Sequence, residues 1–341
     1  MSLQERRLCP HFGECGGCQW QDIPYREQVR WKEELVSHLF AAAGIEVGHV
    51  APLLASPAMF CYRNKMEFTV VPDPEQGLRI GLHRRGRFDE VVEIRECWLP
   101  PPRANELLRV IAQMARRYGV QAYDYQRHEG FFRNVVLRYA PMPEQWMVML
   151  VTTSPRDAKE QEFLHELAQE LQGLFPMVRT VVHVRNDTWS PVSVGELSLL
   201  SGDGILEQEL GGLRFRISPF AFFQVNWVQL ERFFARILEL AEPQATEVAW
   251  DLYCGTGSIT LLLARRMRKV YGVELVEAAI EDARVNAALN GIENVEWFVA
   301  DLQRPAARAL LASLPEPDLI VVDPPRAGLH WRVVQFLRER P

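Results

Sequence analysis

From about residue 245 onward the chain settles into an alternation that few folds accommodate. Apolar runs at Glu247–Tyr253, Lys269–Glu274, Val295–Ala300 and Asp318–Asp323 are separated by helical segments at 257–267, 277–290 and 303–313. Short strands that are apolar on both faces, each followed by a helix, predict a parallel sheet covered on both sides. Right-handed crossovers then make the sheet doubly wound. A further helix, Trp227–Leu240, leads into it.

Upstream of residue 218 the pattern is mixed. Val29, Leu35, Val36, Leu39 and Phe40 recur at helical spacing between Pro24 and Ala43, and Gly44 stops the run. Residues 60–95 are expected to form strands, with the runs at 66–71 and 79–83 parted by the turn formers Pro72, Asp73, Pro74 and Gly77. Helices follow at 103–119 and 157–173, and strands at 131–139, 145–153, 178–184 and 192–200. This is an α+β block without repeats. The organisation expected is a cysteine loop at 1–22, a helix at 23–52 packing on the C-terminal domain, an α+β domain at 53–220 and a doubly wound domain at 221–341.

A length of 341 residues suits two domains. No apolar run approaches the ~20 residues that span a bilayer. The start, Met1 to Arg7, lacks the apolar core of a signal peptide, so a cytoplasmic, membrane-free protein is expected. The net charge of −6 does not advertise a nucleic-acid binder. Residues 60–140, however, hold 14 Lys/Arg against 10 Asp/Glu, and a local basic surface suffices for such binding.

Asp251-Leu-Tyr-Cys-Gly-Thr-Gly ends the first strand of the doubly wound region. Gly255 and Gly257 allow a sharp turn and close approach to a ligand. Thr260 stands where a dinucleotide fingerprint has its third glycine. Glu274 ends the next strand, at the distance where an acid holds a ribose. Asp301 and Asp323 end the third and fourth, so polar groups at four strand tips define one crevice. Asp251 would repel a pyrophosphate but suits a cationic sulfonium and amino group, which points to S-adenosylmethionine rather than a dinucleotide.

Cys9, Cys15 and Cys18 form a C-x5-C-x2-C loop with Gly13, Gly16 and Gly17. Small residues let several thiolates converge on one centre. By spacing alone, zinc and an iron–sulfur cluster fit equally. Isolated Cys61 reads as a packing residue.

These motifs resemble the class I methyltransferases, and specifically the RNA uracil-5 methyltransferases. Ser218 to Asn226 (Ser-Pro-Phe-Ala-Phe-Phe-Gln-Val-Asn), the Asp251 loop and Asp323-Pro-Pro-Arg-Ala-Gly328 carry the match, which covers essentially the whole chain. Arg326, where amino-nitrogen methyltransferases carry Tyr, argues against that class. The resemblance implies that Gln224, Tyr253, Glu274 and Asp323 bind S-adenosylmethionine, with Gly255, Gly257 and Asp301 around it. It also implies a 4Fe–4S cluster on Cys9, Cys15, Cys18 and Cys97, and it favours 23S ribosomal RNA over transfer RNA.

In this family a cysteine thiolate adds to carbon 6 of uracil, carbon 5 takes the methyl group, and a carboxylate removes the carbon 5 proton. The target base must be splayed out to reach the pocket. The resemblance places that cysteine and the base Glu beyond Pro341, so no catalytic residue is expected here. The chain is expected to be a C-terminally truncated monomer whose doubly wound sheet is incomplete and whose cofactor binding is weak. The family's N-terminal β-barrel is expected to be absent. Candidate phosphate contacts are Arg63, Asn64, Lys65, His83, Arg84, Arg85 and Arg87. Two other readings are transfer-RNA modification and a non-catalytic iron–sulfur RNA-binding protein.

Overall fold

The computed structural model describes residues 8–48 and 50–340. It divides into two units. The first comprises the described residues through Tyr139 with Trp146–Asp203 and Val225–Val228. The second comprises Ala140–Gln145, Gly204–Gln224 and the described residues from Gln229 onward.

The first unit contains α1 (Tyr25–Ala42), β1 (Lys65–Asp73), β2 (Gly77–Arg84), β3 (Arg87–Glu93), α2 (Arg103–Arg117), β4 (Phe132–Pro141), β5 (Glu144–Thr152), α3 (Ala158–Leu174), β6 (Val178–Arg185) and β7 (Glu196–Ser201). Its strands form one sheet in the order β3-β2-β1-β4-β5-β6-β7. β5 and β6 run parallel because α3 carries the chain across between them. α2 is helical because Leu107, Leu108, Ile111, Met114 and Ala115 fall on one buried face. It packs on β2 and on α3, and α3 packs on β6 and β7. The core between helices and sheet holds Phe68, Leu107, Ile111, Phe132, Trp146 and Phe163. Burying each such side chain stabilises the fold by about 1.5–3 kcal/mol. Asp157 starts α3 by accepting the Glu160 N–H at 2.9 Å. Strand β3 falls within the 60–95 stretch expected to form strands, with Val91 and Val92 as its buried positions.

α1 falls within the first unit. α1 buries none of its residues, and Trp31, Leu35, Val36, Leu39 and Phe40 remain exposed.

The second unit contains β8 (Leu206–Leu210), β9 (Leu213–Ile217), α4 (Leu230–Ala241), β10 (Val248–Leu252), α5 (Ser258–Ala264), β11 (Lys269–Glu274), α6 (Glu277–Leu289), β12 (Val295–Val299), α7 (Pro305–Ser313), β13 (Leu319–Val322) and α8 (Trp331–Arg338). Its four parallel strands lie in the order β12-β11-β10-β13. One face carries Trp250, Leu311, Val333 and Phe336 from α7, α8 and the sheet. The other carries Ile259, Leu263, Met267 and Val270 with α5. The doubly wound α/β architecture is therefore as expected.

The β8–β9 hairpin departs from the expected boundary at residue 220. Leu206, Gln208 and Leu210, then Leu213, Phe215 and Ile217, alternate buried with outward residues. β9 packs on α5 and α6, and Asn286 of α6 with the C-cap Asn290 satisfies its edge. Asn290 Oδ1 accepts the Arg214 N–H at 2.8 Å and Asn286 Oδ1 accepts the Arg216 N–H at 2.7 Å. Gly204–Gln224 thus folds with the second unit. No helix among the described residues is long and apolar enough to cross a membrane.

Candidate functional site

In the second unit, parallel pairing puts the carboxyl ends of all four strands on one edge, and the order reverses between β10 and β13. Open sheets of this kind bind ligands at that point. Every expected cofactor residue lies at these strand ends or on the segment entering the unit.

The loop after β10 is held by β11. Tyr253 N–H and Cys254 N–H both donate to the Val273 carbonyl, at 2.9 and 3.1 Å. Gly255 N–H donates to Glu274 Oε2 at 3.1 Å. Glu274 Oε1 accepts the N–H groups of Leu275 and Val276 at 2.7 and 3.1 Å. One carboxylate therefore ties the loop to the strand end and keeps lone pairs for a hydroxyl donor. Tyr253 adopts a left-handed φ of +67°. Burial raises its phenol pKa, and the charges of Asp301 and Glu274 raise it further, so these three groups share one neighbourhood.

A second pairing joins the unit's entry segment to β13. Gln224 Nε2 donates to Asp323 Oδ2 at 3.1 Å. Burial raises the Asp323 pKa. Asp301 closes a local turn, accepting the Gln303 N–H at 2.9 Å and pairing with Arg304 at 3.2 Å.

The two loop glycines differ. Gly255 has a φ of +54°, and a Cβ there would meet only open space. Gly257 has a φ of +81°, and its Cβ would meet the Trp297 ring at 2.6 Å. A Cβ at Gly272 would meet the same ring at 2.6 Å. Trp297 on β12, which sequence reasoning passed over as a strand residue, thus fixes two glycines by contact.

Asp251 differs from its expected role. It is 1% exposed, and Thr260 Oγ1 donates to its Oδ2 at 2.5 Å. Its other oxygen is buried without a hydrogen-bond partner. Burial pushes its pKa up to about 7, with smaller contributions from the charges of Asp323 and Glu274. A sealed carboxyl meets no ligand amine or sulfonium. The missing third glycine has the same explanation, because Thr260 is the partner of Asp251.

In the first unit, Cys9, Cys15, Cys18 and Cys97 line one small cavity with His11, Gly17 and Leu99. Gly17 N–H donates to Cys15 Sγ at 3.3 Å. Burial, with the neighbouring thiols adding to it, pushes the Cys97 pKa up to about 12. Burial also raises Cys15 and Cys18. Among the described residues, no three His, Cys, Asp or Glu side chains are grouped to hold a metal ion. Neither zinc nor an iron–sulfur cluster has a preformed ligand group among the described residues.

The candidate phosphate contacts separate. Asn64 is 6% exposed, and Lys65 is half-buried with a pKa lowered by desolvation. Asn64 sits just before β1 and is buried, which corrects the surface role expected of it. Arg84 pairs with Glu90 at 2.8 Å and Arg87 with Asp89 at 3.0 Å. His83 Nε2 lies 3.3 Å from Thr69 Oγ1. Arg85 is exposed.

The sequence profile of the tRNA (uracil-5-)-methyltransferase family matches residues 210–340. The chain is 37% identical over 328 residues to an RNA methyltransferase of Caldanaerobacter subterraneus subsp. tengcongensis, spanning 96% of this chain and 72% of that protein. The crystal structure of the Pyrococcus abyssi tRNA (uracil-54, C5)-methyltransferase in complex with S-adenosyl-L-homocysteine superposes with a TM-score of 0.74 at 27% identity, covering 98% of this chain and 76% of that one. The chain belongs to the RNA uracil-5 methyltransferase family. A second member of this RNA methyltransferase group, from Chlorobaculum tepidum, is 36% identical over 348 residues and spans 97% of this chain and 71% of its own length. The uracil-5 methyltransferase profile opens at Leu210, the last residue of β8, and takes in β9 and the elements of the second unit that follow through residue 340.

Proposed function

We propose that the second unit binds S-adenosylmethionine across the carboxyl ends of β10, β11, β12 and β13, and that the enzyme methylates carbon 5 of a uridine in 23S ribosomal RNA. The observation that carries the reading is the pair of side-chain ties across the sheet's reversal point, Gln224 to Asp323 and Glu274 to the Gly255 N–H. They leave a carboxylate at each side of an open glycine turn. When bound, S-adenosylmethionine supplies an electrophilic methyl group. Glu274 would hold the ribose hydroxyls, and Tyr253, Asp301, Asp323 and Gln224 would line the rest of the cofactor's site. Gly255 and Gly257 bring the backbone close.

The thiol that adds to carbon 6 is none of the six cysteines. Burial holds Cys254 well above the usual thiol range, and the Asp251 and Glu274 charges oppose its ionisation further. Burial also raises Cys61, and the other four line the loop cavity. No catalytic residue is assigned within residues 1–341.

Cys9, Cys15, Cys18 and Cys97 are proposed as ligands of a 4Fe–4S cluster. Their thiols share a cavity and are costly to ionise unless a cation compensates them. The cluster would order the loop rather than join the transfer, which moves no electron.

The ribosomal assignment rests on the cysteine loop. Transfer RNA is the second reading, favoured by the substrate of the Pyrococcus abyssi enzyme. Nucleoside mass spectrometry of separated RNA fractions from a strain lacking the gene tests both. Loss of 5-methyluridine from 23S RNA is expected. Loss from transfer RNA alone favours the second reading, and no loss in either fraction sinks the proposal.

A further inference from the structure

Arg133 is fully buried, on β4 of the first unit. Its guanidinium lies over the rings of Tyr123 and Tyr125, 4.3 and 5.4 Å from their centroids. Nη1 donates to the carbonyls of Asn186 and Thr188, both at 2.6 Å, and Nη2 donates to that of Ser190 at 2.7 Å. The Asn186 side chain adds bonds to Thr188 N–H at 2.9 Å and to the Val192 carbonyl at 2.7 Å. Asp187 accepts from Ser154 N–H at 2.6 Å. A buried cation and two polar side chains thus pin the backbone of one surface loop.

At the tip of that loop Trp189 is 74% exposed. Its indole stacks on His128, with centroids 4.7 Å apart and planes 11° from parallel. His128 is fixed as well. It sits at a φ of +58°, its N–H donates to the Asp124 carbonyl at 2.8 Å, and its Nδ1 lies 3.2 Å from the Tyr123 hydroxyl. One face of the indole is backed by an anchored ring while the rest meets water. A rigid flat ring with an open face is what an unpaired base stacks on, because its ordering entropy is already spent.

We propose that Trp189, backed by His128, is a stacking platform for an unpaired nucleobase of the RNA substrate. The proposal rests on the RNA reading above. Stacking is sequence-tolerant and differs from phosphate contact in its salt dependence.

The test is fluorescence anisotropy of the full chain with a labelled single-stranded RNA. Trp189→Ala is expected to weaken binding by about 5- to 100-fold. Trp189→Phe retains most of the affinity. The ratio of wild type to Trp189→Ala persists as salt is raised, while both affinities fall. Thermal midpoints stay within a degree or two, as an exposed ring's removal requires; a purely structural role would move them. Wild-type affinity in Trp189→Ala overturns the platform and leaves the RNA reading standing. Failure of the wild type to bind any RNA overturns both.

Discussion

Gln224 donates a 3.1 Å hydrogen bond to Asp323, 99 residues further along the chain. The bond joins the segment entering the second unit to the end of β13, and the acid remains open to solvent. Both side chains are proposed to meet the cofactor. Hydrogen bonds to charged groups contribute about 1.5–3 kcal/mol each. Asp323→Ala is therefore expected to weaken S-adenosylhomocysteine binding by about 10- to 100-fold in calorimetry. Unchanged affinity would remove Asp323 from the site.

The two loop glycines give a paired prediction. Alanine at 255 meets no atom and is strained only through its left-handed backbone, a cost of about 1 kcal/mol. Alanine at 257 adds a collision with Trp297 and is expected to destabilise the second unit by about 2–4 kcal/mol. Denaturant unfolding separates the two. Gly255→Ala should instead act on ligand affinity, since its open space is where the cofactor would lie.

Asp251 makes stability depend on pH. Its folded pKa, about 7, exceeds the 3.8 of an unfolded chain. Between those values the folded state holds the extra proton, so stability falls as pH rises through this window and levels off above 7. Asp251→Asn keeps an acceptor for Thr260 without the charge. Its stability relative to wild type is expected to grow from pH 5 to 7 by on the order of 1 kcal/mol per unit, then stay flat. Parallel curves in thermal melts at pH 5, 6, 7 and 8 would show that Asp251 does not titrate as described.

Reconstitution with iron and sulfide tests the cysteine loop. The wild-type chain is expected to take up about four iron atoms with broad visible absorption. Cys97→Ser should lose most of both. Zinc uptake without iron, or equal iron in the variant, would refute the assignment.

The sheet was legible because β10 to β13 are short apolar runs with acids at their ends, a pattern set by local composition. β11 lies where expected to the residue, Lys269–Glu274. The β8–β9 hairpin also had its signal, a Gly211-Gly212 turn between two alternating strands, but it lay inside a block already read as one domain. The inward role of Asp251 was not legible. An acid before a glycine turn looks the same whether it faces ligand or Thr260, and only the packing of α5 decides. Trp297 is a similar case, since its contacts with Gly257 and Gly272 join three separate segments. The approach of Cys97 to the other three thiols, like that of Arg133 to loop 186–190, spans sequence distances over which no local pattern persists.

The loop that Arg133 holds is gripped almost entirely by its main chain. Three of the guanidinium's bonds end on carbonyls of Asn186, Thr188 and Ser190, atoms that every amino acid supplies. Side chains at 188, 189 and 190 can therefore change over generations without releasing that grip. The geometry of the loop is set by Arg133, while the side chains it displays can be exchanged without disturbing the support beneath them.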